Sequence, residues 1–196
     1  MDPIVKVPTR SVGFALTILD NALKLADMKV KNLWAPWRME YIDLLADEDE
    51  GCFLCRAAET PGDDEANHVL WRTEHVLAIM NRFPYNNGHF LIAPLTHKAE
   101  LADLSDAEML GIWRLAADLQ TLQREEMKAH GFNLGVNIGR CAGAGLPGHI
   151  HLHVVPRWRG DTNFMPVVGQ AKVIPQALDG LYRQLRKASV RMGLPR

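Results

Sequence analysis

The spacing of apolar and polar residues along the chain predicts alternating strands and helices. Short apolar runs over residues 75–81, 88–94 and 132–139 are typical of β-strands, and each is bounded by Gly, Pro or Asn residues. A helical period predicts a long helix over residues 105–129. Because neighbouring strands follow one another with short connections, the chain is expected to form an α+β fold with a largely antiparallel sheet.

Local signals place the ends of the long helix. Ser105 can cap its start and Glu108 can complete a capping box, while Gly131 is expected at its end. The predicted inward stripe consists of Met109, Ile112, Trp113, Ala116, Leu119 and Leu122. A second helix is predicted over residues 175–192, with Leu178, Leu181, Tyr182 and Leu185 facing inward.

The chain divides into three predicted parts: an N-terminal extension (1–30), a catalytic domain (31–170) and a C-terminal helix (171–196) that packs on or between domains. Residues 1–27 carry an amphipathic helical pattern. They are expected to pack on the domain, to join a dimer, or to precede the natural start of the protein at Met28.

Composition narrows the classes of partner. Hydrophobic residues make up 47% of the 196 residues, and the formal net charge is -1. This balance argues against a nucleic-acid backbone or an anionic membrane as partner, and no stretch is long enough to span a membrane. Three cysteines, of which Cys52 and Cys55 form a C-x-x-C pair, suggest metal ligands or a redox pair in a reducing compartment, so the cytoplasm is the expected location.

Residues 149–155 are the most informative stretch, with His149, His151 and His153 at every second position. In an extended strand ended by Pro156, the three imidazoles would share one face. Such a row suits a metal site or catalysis in which one histidine attacks and the others bind or move protons. The remaining alternative is a surface strand that carries histidines without using them.

These residues resemble the signature of the histidine triad (HIT) superfamily of nucleotidyl hydrolases and transferases. The run 79–92 is similar to the family's nucleoside-binding hairpin, and Asn137 followed by a glycine-rich loop completes the pattern. The segments 34–42 and 156–166 are similar to a longer microbial branch that includes diadenosine tetraphosphate phosphorylases. The resemblance implies a HIT-like fold.

It also implies roles for individual residues. His151 takes the position of the nucleophile, held by a backbone carbonyl; His153 is expected to donate to a phosphate oxygen, and His149 to be the more structural third member. The implied substrate-binding residues are Asn81 for the ribose, Asn137 for a phosphate, and Gly143, Ala144, Gly145 and Gly148 for the phosphates through their backbone N–H groups.

One departure from the commoner hydrolases concerns the reaction. Those relatives carry Gln and Ser or Thr just before the triad, whereas Gly145-Leu146-Pro147-Gly148 offers no side-chain donor. We therefore expect phosphorolysis of a dinucleoside polyphosphate to ADP and ATP, with Arg157 and Arg159 placed in sequence to attract phosphate. The alternatives are a hydrolase that releases AMP, a non-catalytic nucleotide-binding protein, and a metalloenzyme that uses all three histidines as ligands.

The resemblance finally implies a metal site and an assembly. In zinc-bearing relatives a C-x-x-C pair is completed by two histidines, which correspond here to His97 and His149, with His68 as an alternative ligand. Zinc at Cys52, Cys55, His97 and His149 would be structural, and magnesium would arrive only as a substrate counter-ion. A homodimer or higher homo-oligomer is expected, with residues 105–129 offering a helix for the contact.

Overall fold

The computed structural model describes residues 51–161 and 174–196. Within these residues the chain forms three α-helices and five β-strands. Their bounds, in chain order, are α1 Phe53–Glu59, β1 Val69–Arg72, β2 Val76–Met80, β3 Phe90–Pro94, α2 Asp106–Met127, β4 Gly131–Val136, β5 Leu152–Arg157 and α3 Leu178–Met192. The predicted extension (1–30), the segment 34–42 and residues 162–166 of the segment 156–166 lie outside the described residues.

The five strands form one sheet in the order β1-β2-β3-β5-β4, and every neighbouring pair is antiparallel. The α+β, mostly antiparallel prediction is therefore confirmed. Strand β5, which carries the last histidine of the triad, lies between β3 and β4. This position gives His153 a paired neighbour on each side, Leu91 of β3 and Gly135 of β4.

Both faces of the central strands are covered. Val76, Ala78 and Met80 belong to a large core with α2 and α3, while Leu77 and Ile79 belong to a smaller core with α1. Side chains on a strand alternate between faces, so β2 is buried along its whole length and shows only weak polar alternation in sequence. Because Leu152 and Val154 face the large core, His153 is directed to the face that carries α1.

Helix α2 begins as predicted and ends differently. Ser105 and Glu108 form the full capping box. The helix stops at Met127, and Lys128 takes the left-handed conformation (φ 54°) that was predicted for a glycine, while Gly131 opens β4. The predicted inward stripe is also wrong at two positions, since Trp113 is 56% exposed and Met109 38% exposed, and Leu115 lies in the core instead.

The histidine strand is shorter at its start and longer at its end than predicted. Regular pairing of β5 begins at Leu152, so His149 and His151 precede the strand, and Pro156 lies inside it. Beyond Val154, β5 pairs with β4 alone. Proline is tolerated at such a position, where a strand has lost one neighbour.

The hairpin between β2 and β3 packs directly on α2. Gly88 has φ 74°, and a Cβ there would meet Gln123 Nε2 at 2.9 Å and Met127 Sδ at 2.9 Å. Gln123 donates a hydrogen bond to the Gly88 carbonyl. Only glycine combines this backbone conformation with so close an approach.

The C-terminal helix α3 starts three residues later than predicted and packs Leu181, Tyr182 and Leu185 into the large core, as expected. None of the helices in the two described ranges is long and apolar enough to cross a membrane.

Candidate active site

His151 is held in one tautomer by its own chain. Its Nδ1 lies 2.8 Å from the carbonyl oxygen of His149. A carbonyl only accepts, so Nδ1 carries the hydrogen and Nε2 keeps its lone pair. Burial lowers the pKa of His151, although the bond to the His149 carbonyl partly opposes the shift. The ring is therefore neutral at pH 7, which is the form in which an imidazole is a nucleophile.

His153 is oriented by a relay through a buried histidine that the sequence did not single out. The backbone N–H of Tyr85 donates to His89 Nδ1 at 3.0 Å, and His89 Nε2 lies 3.0 Å from His153 Nδ1. Because His89 Nδ1 accepts, the neutral ring carries its hydrogen on Nε2 and donates it to His153. His153 Nδ1 therefore accepts, and Nε2 is the nitrogen of His153 that carries a hydrogen.

Ring contacts reinforce this relay. The ring of Tyr85 stacks on His89 (4.7 Å between centroids) and on His153 (5.6 Å), and His89 is only 1% exposed. The rings of His151 and His153 meet edge to face at 4.9 Å. The two imidazoles are thus fixed relative to each other. His151 Nε2 keeps its lone pair, and His153 Nε2 carries a hydrogen that it can donate.

His149 serves a different site. It is fully buried, its Nε2 donates to the Pro94 carbonyl at 3.0 Å, and its Nδ1 lies 3.2 Å from Cys52 Sγ and 3.4 Å from Cys55 Sγ. His97 Nδ1 lies 3.2 Å from Cys55 Sγ. The four predicted ligand residues Cys52, Cys55, His97 and His149 are thus brought together, with their donor atoms all within 4.8 Å of one another.

These four groups fit a tetrahedral zinc ion. Zinc bonds of about 2.3 Å to sulfur and 2.0 Å to nitrogen place neighbouring ligands roughly 3.5 Å apart, close to the spacings of this cluster. The bond to Pro94 fixes the tautomer of His149 and leaves Nδ1 as its ligand atom, which is a usual supporting contact for a metal-bound histidine. Burial, and then the neighbouring Cys52, raise the pKa of Cys55 to about 11, so metal binding would release a proton from that thiol. His68, the alternative ligand, lies outside this cluster.

A cavity of about 420 Å³ opens on the α1 face of the sheet beside the other two histidines. At one end it is lined by His151, His153, Gly145 and Leu146. Its apolar walls come from α1 and the strands and include Phe53, Ala57, Ile79 and Leu91. The volume suits a small ligand.

Polar groups at the cavity include one predicted residue and two missed ones. Asn81 lines the cavity, donates from Nδ2 to His89 Nδ1 (3.2 Å) and accepts at Oδ1 from the Phe83 N–H (2.9 Å). Each of its polar atoms retains one further hydrogen-bonding position. Arg56 and Arg82 also line the cavity and are exposed, so they bring positive charge to its mouth.

Of the other predicted substrate-binding residues, Gly145 lines this cavity, whereas Asn137, Gly143, Ala144 and Gly148 are not among the residues that line it. Asn137 Nδ2 lies 3.4 Å from the Gly143 carbonyl and so ties the glycine-rich loop to the end of β4. Gly148 lies against the ring of His97, which a Cβ would approach to 3.1 Å. Gly143, with φ 81°, closes a turn over Arg140–Ala142, and Ala144 is buried. The phosphate-binding roles of these residues stay predictions.

Arg157 is already neutralised by its neighbours. Its guanidinium forms a bidentate pair with Asp161 (2.6 and 2.8 Å) and donates to Asn133. This pairing holds the pKa of Asp161 well below its usual range. The expected capture of phosphate by Arg157 is therefore not supported, and Arg157 is not among the residues that line the cavity, whereas Arg56 and Arg82 are.

Comparison with known proteins agrees with this geometry. The model of the HIT domain matches residues 63–160, a range that contains the relay, the cavity strands and the triad. The chain belongs to the HIT domain family. The expected resemblance is confirmed.

A protein named AP-4-A phosphorylase from Mycobacterium tuberculosis is 37% identical over 174 residues, which cover 86% of this chain and 89% of that protein. A bis(5'-adenosyl)-triphosphatase from Dictyostelium discoideum is 26% identical and covers 48% of this chain and 63% of that protein. The crystal structure of a Zn-bound histidine triad family protein from Mycobacterium smegmatis superposes with a TM-score of 0.59 at 27% identity, covering 74% of this chain and 96% of that one. The prediction that the chain is a HIT-family enzyme is confirmed.

Proposed function

We propose that this protein cleaves dinucleoside polyphosphates through a nucleotide bound covalently to His151. The observation that carries the proposal is the buried, neutral imidazole of His151, whose Nδ1 is tied to the His149 carbonyl while the ring lines a cavity of about 420 Å³. That bond leaves Nε2 as the nucleophilic atom. The similarity to AP-4-A phosphorylase over most of both chains supports a diadenosine tetraphosphate type of substrate.

In the first step His151 Nε2 attacks the phosphorus next to one nucleoside. A nitrogen–phosphorus bond forms, the bond from that phosphorus to the bridging oxygen breaks, and the remaining nucleoside triphosphate leaves. The Nδ1–H group of His151 continues to donate to the carbonyl of His149. That carbonyl oxygen stabilises the positive charge that develops on the ring. This division replaces one difficult displacement by two easier ones.

His153 is suited to stabilise the charge on the phosphoryl oxygens during both steps. The relay from Tyr85 through His89 leaves the hydrogen of His153 on Nε2. A fixed donor of this kind interacts more strongly with the transition state than with the substrate. The exposed guanidinium groups of Arg56 and Arg82 add attraction for a highly charged polyphosphate.

The second step decides between phosphorolysis and hydrolysis. Attack of an oxygen of inorganic phosphate on the bound phosphorus breaks the bond to His151 and releases ADP, whereas attack by water releases AMP. Phosphorolysis is our proposal because the phosphorylase relative covers most of both chains, and because Leu146, which carries no donor, lines the catalytic end of the cavity. Hydrolysis is the alternative, favoured by the similarity to the triphosphatase.

The test is to incubate the protein with diadenosine tetraphosphate, with and without inorganic phosphate, and to identify the products. ADP plus ATP, formed only with phosphate, indicates a phosphorylase, and AMP plus ATP indicates a hydrolase. An acid-quenched reaction should contain protein with one nucleotide adduct, and His151→Ala should lose the adduct and turnover but keep nucleotide binding. His75→Ala, an exposed histidine between β1 and β2, is the matched control. Turnover without any adduct, or full activity of His151→Ala, would refute the proposal.

A non-catalytic nucleotide-binding protein predicts no products in either reaction. A metalloenzyme that uses all three histidines is disfavoured, because within the described residues only His149 of the triad belongs to a group of side chains placed to bind a metal ion. The family comparison supports the enzyme.

We also propose that Cys52, Cys55, His97 and His149 bind a structural zinc ion. Zinc bound there would link the segment before α1 to the residue that fixes His151, and so would contribute to folding stability. The similarity to the Zn-bound histidine triad family protein from Mycobacterium smegmatis supports this assignment. Magnesium is proposed only as a counter-ion of the substrate, and a cytoplasmic homo-oligomer stays a prediction.

A further inference from the structure

Two polar residues, Asn67 and His68, directly precede β1 and line the same cavity as the catalytic histidines. Apolar residues of β2 and β3, such as Ile79 and Leu91, line it as well. In the order β1-β2-β3-β5, the edge of β1 lies three strand spacings, or about 14 Å, from β5. A nucleotide whose phosphate meets His151 would therefore direct the outer edge of its base toward Asn67 and His68.

His68 is held firmly in an unusual conformation. It is a non-glycine residue with φ 57°, a backbone state that costs energy and persists only where surrounding contacts maintain it. Its Nε2 lies 2.6 Å from Asp179 Oδ1, and its ring packs edge-on against Tyr182, 5.5 Å between centroids. Both partners come from α3, and the Tyr182 hydroxyl donates to the Val69 carbonyl.

The contact with Asp179 determines which hydrogen bond His68 can offer. A carboxylate only accepts, so Nε2 of His68 carries the hydrogen. In the neutral ring Nδ1 is then an acceptor. The geometry is the same carboxylate-to-histidine pairing by which proteins commonly fix an imidazole tautomer.

The side-chain amide of Asn67 is also held in one orientation. The Thr60 hydroxyl donates to the Arg56 carbonyl at 2.8 Å, so its oxygen accepts from Asn67 Nδ2 at 3.2 Å. This contact establishes the orientation of the amide and leaves Oδ1 as the acceptor that Asn67 can offer. Two adjacent side chains that line the cavity can thus each offer an acceptor, Oδ1 of Asn67 and Nδ1 of His68.

We infer that Asn67 and His68 select a purine with an amino group at position 6 over one with an oxo group, and that Asp179 is the positioning residue that sets this preference. Adenine presents a donor at position 6, whereas guanine and hypoxanthine present an acceptor there. An acceptor facing an acceptor leaves both groups unpaired, which costs affinity. This inference rests on the proposed function for the orientation of the nucleotide.

The test compares the binding of AMP and inosine monophosphate to the full chain by isothermal titration calorimetry, because the two ligands differ at position 6 and its neighbouring ring nitrogen. One hydrogen bond is worth about two- to tenfold in affinity, so wild type should prefer AMP by about that factor or more. Asp179→Ala frees the tautomer of His68 and should bring the preference close to one.

Asp179→Lys makes a stronger prediction. A lysine only donates, so it would turn Nε2 of His68 into the acceptor and place the hydrogen on Nδ1. The preference should then shift toward inosine monophosphate, which a merely structural role of Asp179 would not produce. Asp106→Lys is the matched control, since Asp106 is also an acidic residue in the first turn of a helix and does not line the cavity.

Equal affinity of wild type for the two nucleotides, or no binding of either, would overturn the inference, and so would an unchanged preference in both Asp179 variants. Its failure is distinguishable from failure of the proposed function. Turnover of diadenosine tetraphosphate with no preference between the monophosphates rejects the base selection alone. A clear preference for AMP without turnover rejects the reaction alone.

Discussion

Replacing His89 by Phe should slow catalysis without weakening the binding of nucleotide. The side chain is 1% exposed and its Nε2 donates to His153 Nδ1 at 3.0 Å. Phe keeps a planar ring in the core but removes this donor. His153 Nδ1 would then have lost the group that holds the ring's hydrogen on Nε2, and His153 would divide between two tautomers.

The size of the effect follows from the lost bond. Leaving a buried acceptor unsatisfied costs about 1–3 kcal/mol, which corresponds to roughly 5- to 150-fold in rate if the loss is felt only in the transition state. We therefore expect kcat to fall by a factor in this range while KM for the nucleotide changes little. His89→Gln, whose amide N–H can reach His153, should recover part of the rate.

Steady-state kinetics with diadenosine tetraphosphate provide the assay, and thermal unfolding shows whether each variant is folded. A double-mutant cycle with His153→Ala separates positioning from general damage, because His89 also accepts from the Tyr85 N–H and from Asn81. If His89 acts through His153, then His89→Phe should cost nothing further in the His153→Ala background. An equal loss in both backgrounds, or a rise in KM with unchanged kcat, would refute this reasoning.

Other predictions concern the metal, pH and assembly. Cys55→Ser should abolish stoichiometric zinc, measured by plasma mass spectrometry, and cost about 3 kcal/mol, or roughly 6–12 °C in Tm; an unchanged metal content would exclude the site. Because burial lowers the pKa of His151, its nucleophilic form should persist as pH falls below about 6.5, and a pH–rate profile with an acidic limb above that value would contradict this. Burial opposes ionisation of Glu108, but hydrogen bonds led by that from Lys98 lower its pKa to about 2. Its stabilising effect should be present above about 4.5 and lost as pH falls toward 2, and Glu108→Gln should flatten that part of the stability profile. Trp113, 56% exposed on α2, is the natural contact for the expected dimer, so Trp113→Glu should yield monomers in light scattering if α2 forms it.

Periodicity and caps predicted much of the fold because they act locally. The Ser105–Glu108 capping box predicted the start of α2. The grouping of Cys52 and Cys55 with two distant histidines was implied by the resemblance to zinc-bearing HIT proteins, and the four side chains do lie together. The end of α2 could not be read in the same way. The glycine expected to end α2 was Gly131, but the residue in the left-handed conformation is Lys128, three residues earlier. Gly131 is instead the first residue of β4.

The supporting residues of the site could not be predicted from the sequence. His89 and His68 are single histidines, each at the start of an apolar run, and nothing in their spacing distinguishes them from other histidines of the chain. Their roles arise from contacts across the fold, with His153 on β5 and with Asp179 on α3. Such contacts depend on sheet order and helix packing, which a one-dimensional pattern does not encode.

The late start of β5 explains how one run of alternating histidines serves two sites. Residues 149–151 are not held by regular strand pairing but by bonds to the end of β3 and to the chain that follows it. His149 Nε2 donates to the Pro94 carbonyl, and the Ile150 N–H donates to the Lys98 carbonyl at 2.6 Å. Lys98 is itself fixed by Glu108 at the start of α2. Because His149 is not part of β5, its ring can face Cys52 and Cys55 while its carbonyl accepts the hydrogen bond from His151. His149 therefore belongs to the candidate metal site and also sets the tautomer of His151. We expect a substitution that displaces the four candidate ligands to lower the rate of the reaction as well, because it would move the carbonyl of His149.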